Sequence, residues 1–226
     1  MADDNGLISR TAAPLRKQVV DAIRHRIVTN VYAPGTRLVE RVVCEELGVS
    51  RTVVREAFRQ LEAERLIEVL ATFGPVVRTL SASETKSLYE VRAALESLAA
   101  HDCAERASDD LIGRLHEALL DVPAPGVSDI EQRLDAQDRF IALIVEGADN
   151  MVLGDLLTQI HSRVNLLRAR TLQHGGAERQ LPGLTLIYNA IAQRDPAGAE
   201  AATRAYVLRA SEIALEDYAE RSKSVS

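Results

Sequence analysis

Apolar residues recur with a helical spacing at the start of the chain. They fall every four positions from Leu15 to Ile27, until the segment "YAPG" (32–35) interrupts the pattern. This spacing predicts a first helix that ends before the Pro-Gly pair. A second helix is predicted over 38–47, "LVERVVCEEL", because its apolar positions share one face and Gly48 follows as a stop signal.

A third helix and a hairpin are predicted next. The third helix covers 51–63, and Ser50 stands immediately before it as a capping residue. Two short β-rich runs follow, "LIEVL" (66–70) and "VVRTL" (76–80), joined by "ATFGP" (71–75). Two such runs around a Gly-Pro tip predict a β-hairpin. Helix, helix, turn, helix and hairpin is the order of a winged helix-turn-helix.

The pattern beyond position 80 predicts helices alone. Turn-forming segments rich in Gly, Pro, Asp and Asn separate six apolar-periodic stretches. The sequence therefore predicts a mostly α chain with a small β-hairpin, composed of a winged helix-turn-helix domain over 10–80 and an all-α bundle over 81–222. The six predicted bundle helices cover 82–107, 109–121, 128–147, 149–172, 183–194 and 196–222.

Composition agrees with a globular, helical protein. The 226 residues are 46% hydrophobic and 27% charged, with 4% aromatic residues and no Trp. The net charge is −6, but residues 10–80 carry +4 and residues 81–226 carry −8. A basic first third favours a polyanion-binding module. We find no apolar run of roughly 18–20 residues and no secretory leader, so a cytoplasmic protein without a membrane span is expected.

The third predicted helix has two contrasting faces. At about 100° per residue from Arg51, Arg55 lies at about 40°, Arg59 at about 80° and Thr52 at about 100°. The opposite side of the helix is apolar, with Val54, Ala57, Phe58 and Leu61. A helix of this kind fits the DNA major groove, where arginine bonds bidentately to guanine or grips phosphate. The alternative is a solvated surface neutralised by Glu45, Glu46, Glu62 or Glu64.

Residues beside this helix extend the candidate DNA-binding face. Ser50 lies at the helix start, where a capping hydroxyl and free N–H groups favour a phosphate oxygen. Arg41, on the preceding helix, can reach the DNA backbone or a base. The tip "TFGP" (72–75) has no basic side chain. Contact by the wing would therefore rest on backbone N–H groups near Gly74.

These residues carry a family resemblance. The segment "VYAPGTRLVERVVCEELGVSRTVVREAFRQLEAERLIEVLATFGPVV" (31–77) resembles the winged-helix domain of the GntR family of bacterial transcription regulators. The resemblance implies that the family's DNA-contact positions are Arg41, Arg51, Thr52, Arg55 and Gly74, with Ser50 as the cap. The chain departs from the pattern at Val53, where proline is frequent, but Val53 points away from the arginine face.

The helical part resembles a second domain. The segment "SLYEVRAALESLAAHDCAERAS" (87–108) is similar to the first helix of the FCD effector domain of the FadR subfamily. Six predicted helices resemble its VanR-type branch more than the seven-helix FadR-type branch. The resemblance implies a homodimer that binds a pseudo-palindromic, double-stranded operator. It also implies a small-molecule effector in the bundle, and most simply a repressor.

The resemblance also implies a metal site, and here the sequence departs from the family. Most members hold a metal with an Asp and three His. Aligning Phe140 with the motif's Phe puts Gln137 and Ile141 at two ligand positions, and aligning "AIAQRD" (190–195) puts Leu184 and Tyr206 at the other two. We therefore expect no metal and no other cofactor. A ligand enclosed there would have substantial apolar surface or a weakly polar head. The alternative is a pocket filled by its own side chains.

Two further groups are candidates near this pocket. Arg92 could meet an acidic group of a ligand, although its position four residues before Glu96 favours a pair within the helix. The histidines, on separate predicted elements, are expected to be surface or packing residues, with His161 the most interesting because Asn165 follows four residues later. The five are His25, His101, His116, His161 and His174.

Three functions follow from this pattern. The leading hypothesis is a ligand-responsive, sequence-specific DNA-binding regulator. A metal-dependent helical-bundle enzyme is a second possibility, but the sequence has no GxSxG, HExxH or Gly-rich phosphate loop and offers no catalytic residues. A DNA-binding scaffold without an effector is the third.

Overall fold

The computed structural model describes residues 12–123, 130–171 and 177–224. The chain divides into two compact units, Met1–Thr79 and Leu80–Ser226, which are described separately below. Over the described ranges, no helix is long and apolar enough to cross a lipid bilayer.

The first unit is a three-helix arrangement with a short sheet. Its helices are α1 (Ala12–Val28), α2 (Glu40–Leu47) and α3 (Arg51–Ala63), and its strands are β1 (Ile67–Leu70) and β2 (Gly74–Val77). Helices α1 and α3 pack against each other and bury the apolar residues that give each its periodicity. The core positions on these two helices are Val19, Val20, Ile23, Ile27, Val54, Ala57, Phe58 and Leu61.

The turn between α2 and α3 depends on one glycine. Gly48 ends α2 with φ 65°, and its N–H donates to the carbonyl of Cys44. A left-handed residue at this position costs glycine little and other residues more. Ser50 then stands at the N-cap of α3 with extended backbone, but its side chain makes no capping hydrogen bond. The predicted capping bond of Ser50 is therefore wrong, although the predicted position is right.

The wing is a two-stranded antiparallel hairpin. Ile67 lies opposite Val77, and Leu70 lies opposite Gly74. A segment that the sequence did not predict as extended, 35–38, pairs with the other side of β2 through an isolated bridge between Arg37 and Val76. Three backbone hydrogen bonds of 2.8 to 2.9 Å hold this segment to the hairpin. They fix the base of the wing beside α2.

The second unit is helical throughout its described residues. Its helices are α4 (Ala82–Arg106), α5 (Asp109–Leu120), α6 (Ile130–Gly147), α7 (Met151–Thr171), α8 (Ala177–Ala192) and α9 (Pro196–Ser224). Ser81 and Glu84 form a capping box at the start of α4, and Ser108 caps α5. These bonds satisfy backbone N–H groups that a helix start leaves unpaired. The mostly α fold class with a winged helix-turn-helix is confirmed.

Helix α8 begins earlier than the sequence predicts. The pair Pro182–Gly183 favours a break and a start near position 183, yet α8 runs from Ala177 and contains Pro182. Gly183 lies so close to α9 that a Cβ there would come within 2.8 Å of the Tyr206 ring. Packing of α8 against α9 thus overrides the local turn signal, because the glycine is needed for close approach.

Candidate DNA-binding face and bundle interior

Helix α3 presents a polar outer face to solvent. Arg51, Thr52 and Arg55 are exposed, whereas Val54 and Leu61 on the opposite side are completely buried. Among the residues that the structure describes, Arg51 makes no hydrogen bond or ion pair. Its guanidinium is therefore available to an external acceptor. This arrangement has the width and chemistry of a helix that enters the major groove.

Arg55 carries an acidic partner that the helical pattern of α3 could not show. Its Nε donates to both carboxylate oxygens of Glu40, each at 2.9 Å, and this hydrogen bond raises the pKa of Arg55. Glu40 is the first residue of α2, fifteen positions earlier. This partner therefore comes from the neighbouring helix and not from α3. The Arg55 side chain remains 62% exposed, so the pair is open to competition by solvent and phosphate.

Arg41 lies on α2 and also has a weak partner. Its Nη1 donates to Glu45 at 2.8 and 3.0 Å, with both side chains more than 60% exposed. An exposed pair at this spacing contributes only about 0.3–0.5 kcal/mol. Glu45 therefore leaves Arg41 able to exchange its partner for a phosphate. Of the acids expected to neutralise the arginines of α3, Glu46 and Glu64 instead pair with Arg26 and Arg24 of α1.

The start of α3 and the wing tip offer uncharged groups that can contact another molecule. The hydroxyl of Ser50 is exposed and makes no capping bond, so both it and the first N–H groups of α3 can meet an anion. Gly74 begins β2 with φ 73°, and the space where its Cβ would lie is open. Phe73 beside it is 58% exposed. The tip can therefore approach another molecule closely through its backbone.

The residues predicted to form the effector pocket are all buried in the second unit. Arg92 lies on α4, Gln137 and Ile141 on α6, Leu184 on α8 and Tyr206 on α9, and none is more than 6% exposed. The void beside Ile141 is too small to hold a water molecule. Side chains therefore fill the space between Ile141, Glu96 and Thr203.

A buried charge cluster lies at the centre of this interior. Arg92 Nε donates to Glu96 Oε1 at 2.6 Å, and His161 Nε2 lies 2.6 Å from the same oxygen. Burial alone would raise the pKa of Glu96, but the Arg92 guanidinium and the His161 imidazole outweigh it and lower the pKa to about 2. Glu96 is therefore a carboxylate at neutral pH. The expected pairing of Arg92 with Glu96 is confirmed, and His161 is a hydrogen-bonded packing residue.

An open cleft lies between α6 and α7. It has a volume of about 320 Å³, and Ile141 is the one residue that it shares with the predicted pocket. His161 lines it, and so connects the cleft to Glu96. The remaining lining residues are mostly small or weakly polar. They do not form a motif that can be recognised in the sequence. They are Asp138, Ala142, Val145, Gly154, Leu157, Thr158, Ser162 and Asn165.

One group in the described ranges has the atoms to hold a metal. The ligand atoms of His101, Asp102 and Glu105 lie within 4.8 Å of one another on α4. Arg106 already approaches both carboxylates, at 3.2 Å from Asp102 and 3.9 Å from Glu105. Its positive charge opposes a cation, so we interpret this group as an ion-pair cluster around the buried Asp102.

The geometry defines a class of protein, a winged-helix DNA-binding unit joined to a helical bundle. Comparison with family models gives the family. Residues 15–74 match the model "Bacterial regulatory proteins, gntR family", and residues 87–209 match the FCD domain. The chain belongs to the GntR family and carries an FCD domain. It is a DNA-binding transcriptional regulator, in a family of regulators rather than enzymes.

Individual relatives agree with this assignment. The chain is 26% identical to the HTH-type transcriptional repressor RspR of Escherichia coli (strain K12) over 204 residues, which cover 88% of each chain. It is 31% identical to the Nta operon transcriptional regulator of Aminobacter aminovorans over 148 residues, covering 63% of this chain and 70% of that protein. The solved structure of E. coli McbR/YncC matches with a TM-score of 0.81 at 21% identity, over 90% of this chain and 98% of that one, and supports the fold.

Proposed function

We propose that this protein is a cytoplasmic, homodimeric, ligand-responsive repressor of a pseudo-palindromic operator. The observation that carries the proposal is the outer face of α3, where Arg51, Thr52 and Arg55 are exposed above a buried apolar side. Arginine bonds bidentately to guanine O6 and N7, and threonine can reach a base edge or its methyl group. This face therefore provides the sequence-reading contacts.

The surrounding residues are proposed to position the helix on the DNA backbone. The exposed hydroxyl of Ser50 and the free N–H groups at the start of α3 can bond to one phosphate. Arg41 can exchange Glu45 for a second phosphate, because its present pair is exposed and weak. Gly74 brings the backbone of the wing close to the duplex. These contacts set orientation and carry no base identity.

We base the proposed dimer on the symmetry of operators, and the proposed repression on the similarity to RspR. Two-fold dimers bind operators whose half-sites are related by the same symmetry. RspR, which is similar over most of its length, is a repressor, and this supports the same sign of regulation here. Because the operator of a bacterial regulator lies on the chromosome, the protein acts in the cytoplasm.

The effector is proposed to act on the helical unit. A ligand with apolar surface would contact five buried side chains of this unit. They are Arg92, Gln137, Ile141, Leu184 and Tyr206. A ligand changes DNA binding only through its different affinities for the two functional states of the protein. A ligand that contacts these side chains supplies such a difference when their arrangement differs between the two states.

Selection of duplex DNA tests the proposed function. The purified chain, incubated with a pool of random duplexes, is expected to enrich an inverted repeat. Fluorescence anisotropy should then show the selected operator bound at least about 1,000-fold more tightly than a scrambled duplex at the same salt concentration. Failure to enrich any motif would contradict sequence-specific regulation, and enrichment of a single unrepeated half-site would contradict the dimer.

We further propose that the helical unit works without a transition metal. The family's ligand positions carry Gln137, Ile141, Leu184 and Tyr206, and of these side chains neither aliphatic one can bind a metal. Elemental analysis of the purified chain after dialysis is expected to give well under one equivalent of zinc, nickel, manganese or iron. One equivalent per chain, lost together with operator binding on chelation, would overturn this proposal.

A further inference from the structure

The ion pair of Glu40 and Arg55 occupies only one side of the guanidinium group. Arg55 Nε donates to both carboxylate oxygens of Glu40, each at 2.9 Å. Within the described part of the chain, Nη1 and Nη2 of Arg55 make no hydrogen bond. The side that carries Nε is therefore taken, and the end that carries both Nη groups is open to another molecule.

The two backbones that carry this pair are fixed by buried neighbours. Val43, one turn after Glu40, is 2% exposed, and Val54, beside Arg55, is completely buried. Glu40 is the first residue of α2, where the unpaired N–H groups of a helix start favour a carboxylate. Its side chain is 30% exposed, against 62% for that of Arg55. Glu40 is thus the better-anchored partner, and it biases the direction in which the guanidinium projects.

The other two arginines of this face have no comparable anchor. Arg41 pairs with Glu45 of its own helix, and both side chains are more than 60% exposed. Arg51 makes no hydrogen bond or ion pair with any residue that the structure describes. A guanidinium without a fixed orientation can still grip phosphate, whereas reading a base requires a fork that is already aligned. Of the three, Arg55 has the arrangement that a base contact needs.

The free end of the Arg55 guanidinium matches guanine among the four bases. Its two Nη groups direct parallel N–H bonds outward, and guanine presents two acceptors, O6 and N7, at its major-groove edge. Adenine offers one acceptor beside a donor, cytosine a donor, and thymine one acceptor beside a methyl group. Only guanine accepts both bonds. Because the groove excludes water, the local dielectric constant falls there and the pair with Glu40 becomes stronger.

We propose that Glu40 is the positioning residue for base reading: it holds the Arg55 guanidinium with both Nη groups directed at O6 and N7 of one guanine in each half-site. This inference rests on the proposed function, since it assigns a base and a supporting residue to the face of α3. Glu40 touches no base in this arrangement. Its negative charge weakens binding to every duplex, so its effect on selectivity is separable from its effect on affinity.

A modified guanine in the selected operator tests the inference. The guanine at which Arg55→Ala loses discrimination is replaced in both half-sites by 7-deazaguanine, which lacks the N7 acceptor. Anisotropy titrations at one salt concentration compare this duplex with the natural operator. The wild type is expected to bind the modified duplex at least about fivefold more weakly, and Arg55→Ala to bind both alike. A wild type without this penalty, or an Arg55 position that reads another base, would overturn the proposal.

Two acidic residues of α2 give a matched comparison. Glu40→Ala and Glu45→Ala each remove one negative charge from the same helix, so both should bind every duplex more tightly. The penalty for 7-deazaguanine should shrink at least about threefold in Glu40→Ala and stay within about twofold of the wild type in Glu45→Ala. Equal penalties in the two variants would show that Glu40 does not position Arg55.

Thermal unfolding followed by circular dichroism checks that each variant keeps its fold. Glu40→Gln, which preserves the size of the side chain and loses its charge, serves as the second variant. Its penalty is expected to lie between those of the wild type and Glu40→Ala, because the amide oxygen still accepts one bond. A penalty equal to that of the wild type would overturn the positioning role.

The selection experiment distinguishes failure of this inference from failure of the proposed function. A selection that enriches no motif contradicts both. If an operator is enriched but Arg55→Ala weakens all duplexes alike, Arg55 contacts phosphate, and only the inference is overturned.

Discussion

Replacement of Arg55 by alanine is expected to weaken operator binding by about 1–3 kcal/mol, or roughly 5- to 150-fold, with little loss of affinity for a scrambled duplex. The guanidinium lies on the exposed face of α3, and its Nε donates to both carboxylate oxygens of Glu40. If Arg55 reads a base, specificity at one operator position should relax. Anisotropy titrations against operator duplexes altered at single positions measure this directly.

Two further variants make this measurement decisive. Arg209→Ala removes the same charge from an exposed ion pair on α9 and should leave operator affinity within about twofold, because it lies in the helical unit. Glu40→Gln removes an acid beside the predicted phosphate contacts, so affinity for any duplex should rise while the ratio of specific to non-specific affinity falls. Equal losses for Arg55→Ala and Arg209→Ala would show that only net charge matters.

Glu96→Gln should cost the helical unit about 3–5 kcal/mol of its free energy of unfolding. The substitution keeps the shape of the side chain but leaves Arg92, which is 4% exposed, as an uncompensated buried charge. Denaturant unfolding followed by circular dichroism measures the loss. The control is Glu212→Gln, which breaks the exposed Arg209–Glu212 pair and should cost less than about 1 kcal/mol.

A double variant separates charge from packing. Arg92→Met with Glu96→Leu removes both charges of the buried pair at similar volume and should recover much of the loss caused by Glu96→Gln. If the single substitution were tolerated as well as the control, the pair would contribute nothing to stability. A double variant that unfolded more readily than the single one would show that the loss does not come from the uncompensated charge of Arg92.

The pH dependence of stability gives an independent test of the same pair. The pKa of Glu96 is lowered from 4.5 to about 2 in the folded protein. Its contribution is therefore fully present above pH about 4.5 and is lost as the pH falls toward 2. The difference in unfolding free energy between the wild type and Glu96→Gln should narrow over this window. A constant difference from pH 7 to pH 3 would contradict the lowered pKa.

Local signals predicted the elements that bear the candidate DNA-binding face. The apolar stripe of α3 and the N-cap position of Ser50 placed that helix at Arg51–Ala63, which is its observed extent. Gly48 marked the end of α2 because glycine readily adopts the left-handed backbone conformation that this C-cap has. These features follow from residues close together in the chain, where periodicity and turn chemistry are informative.

Long-range partners could not be predicted in the same way. The Glu40–Arg55 pair spans two helices, and the pairing of Arg37 with β2 needs the hairpin to be in place. Gly183 appeared to be a helix breaker and instead permits the close approach of Tyr206. In each case the deciding interaction comes from tertiary packing, which overrides local preference.

In the bundle interior too, the sequence predicted the local contact but not the long-range ones. The spacing of Arg92 and Glu96 predicted their pair, since four residues form one helical turn. The contact of His161 with Glu96 joins residues 65 positions apart, and the cleft beside it depends on the packing of α6 against α7. Whether the predicted pocket residues meet a ligand remains a prediction.

The Glu40–Arg55 pair has a consequence for how quickly the proposed regulator would find its operator. A regulator must sample very many chromosomal positions, and each wrong stop delays arrival at the correct one. On random sequence, Arg55 gains little by leaving a carboxylate that already accepts two bonds from it. With Arg55 as a base contact, as proposed, we expect this pair to shorten the time that the protein spends at each wrong position.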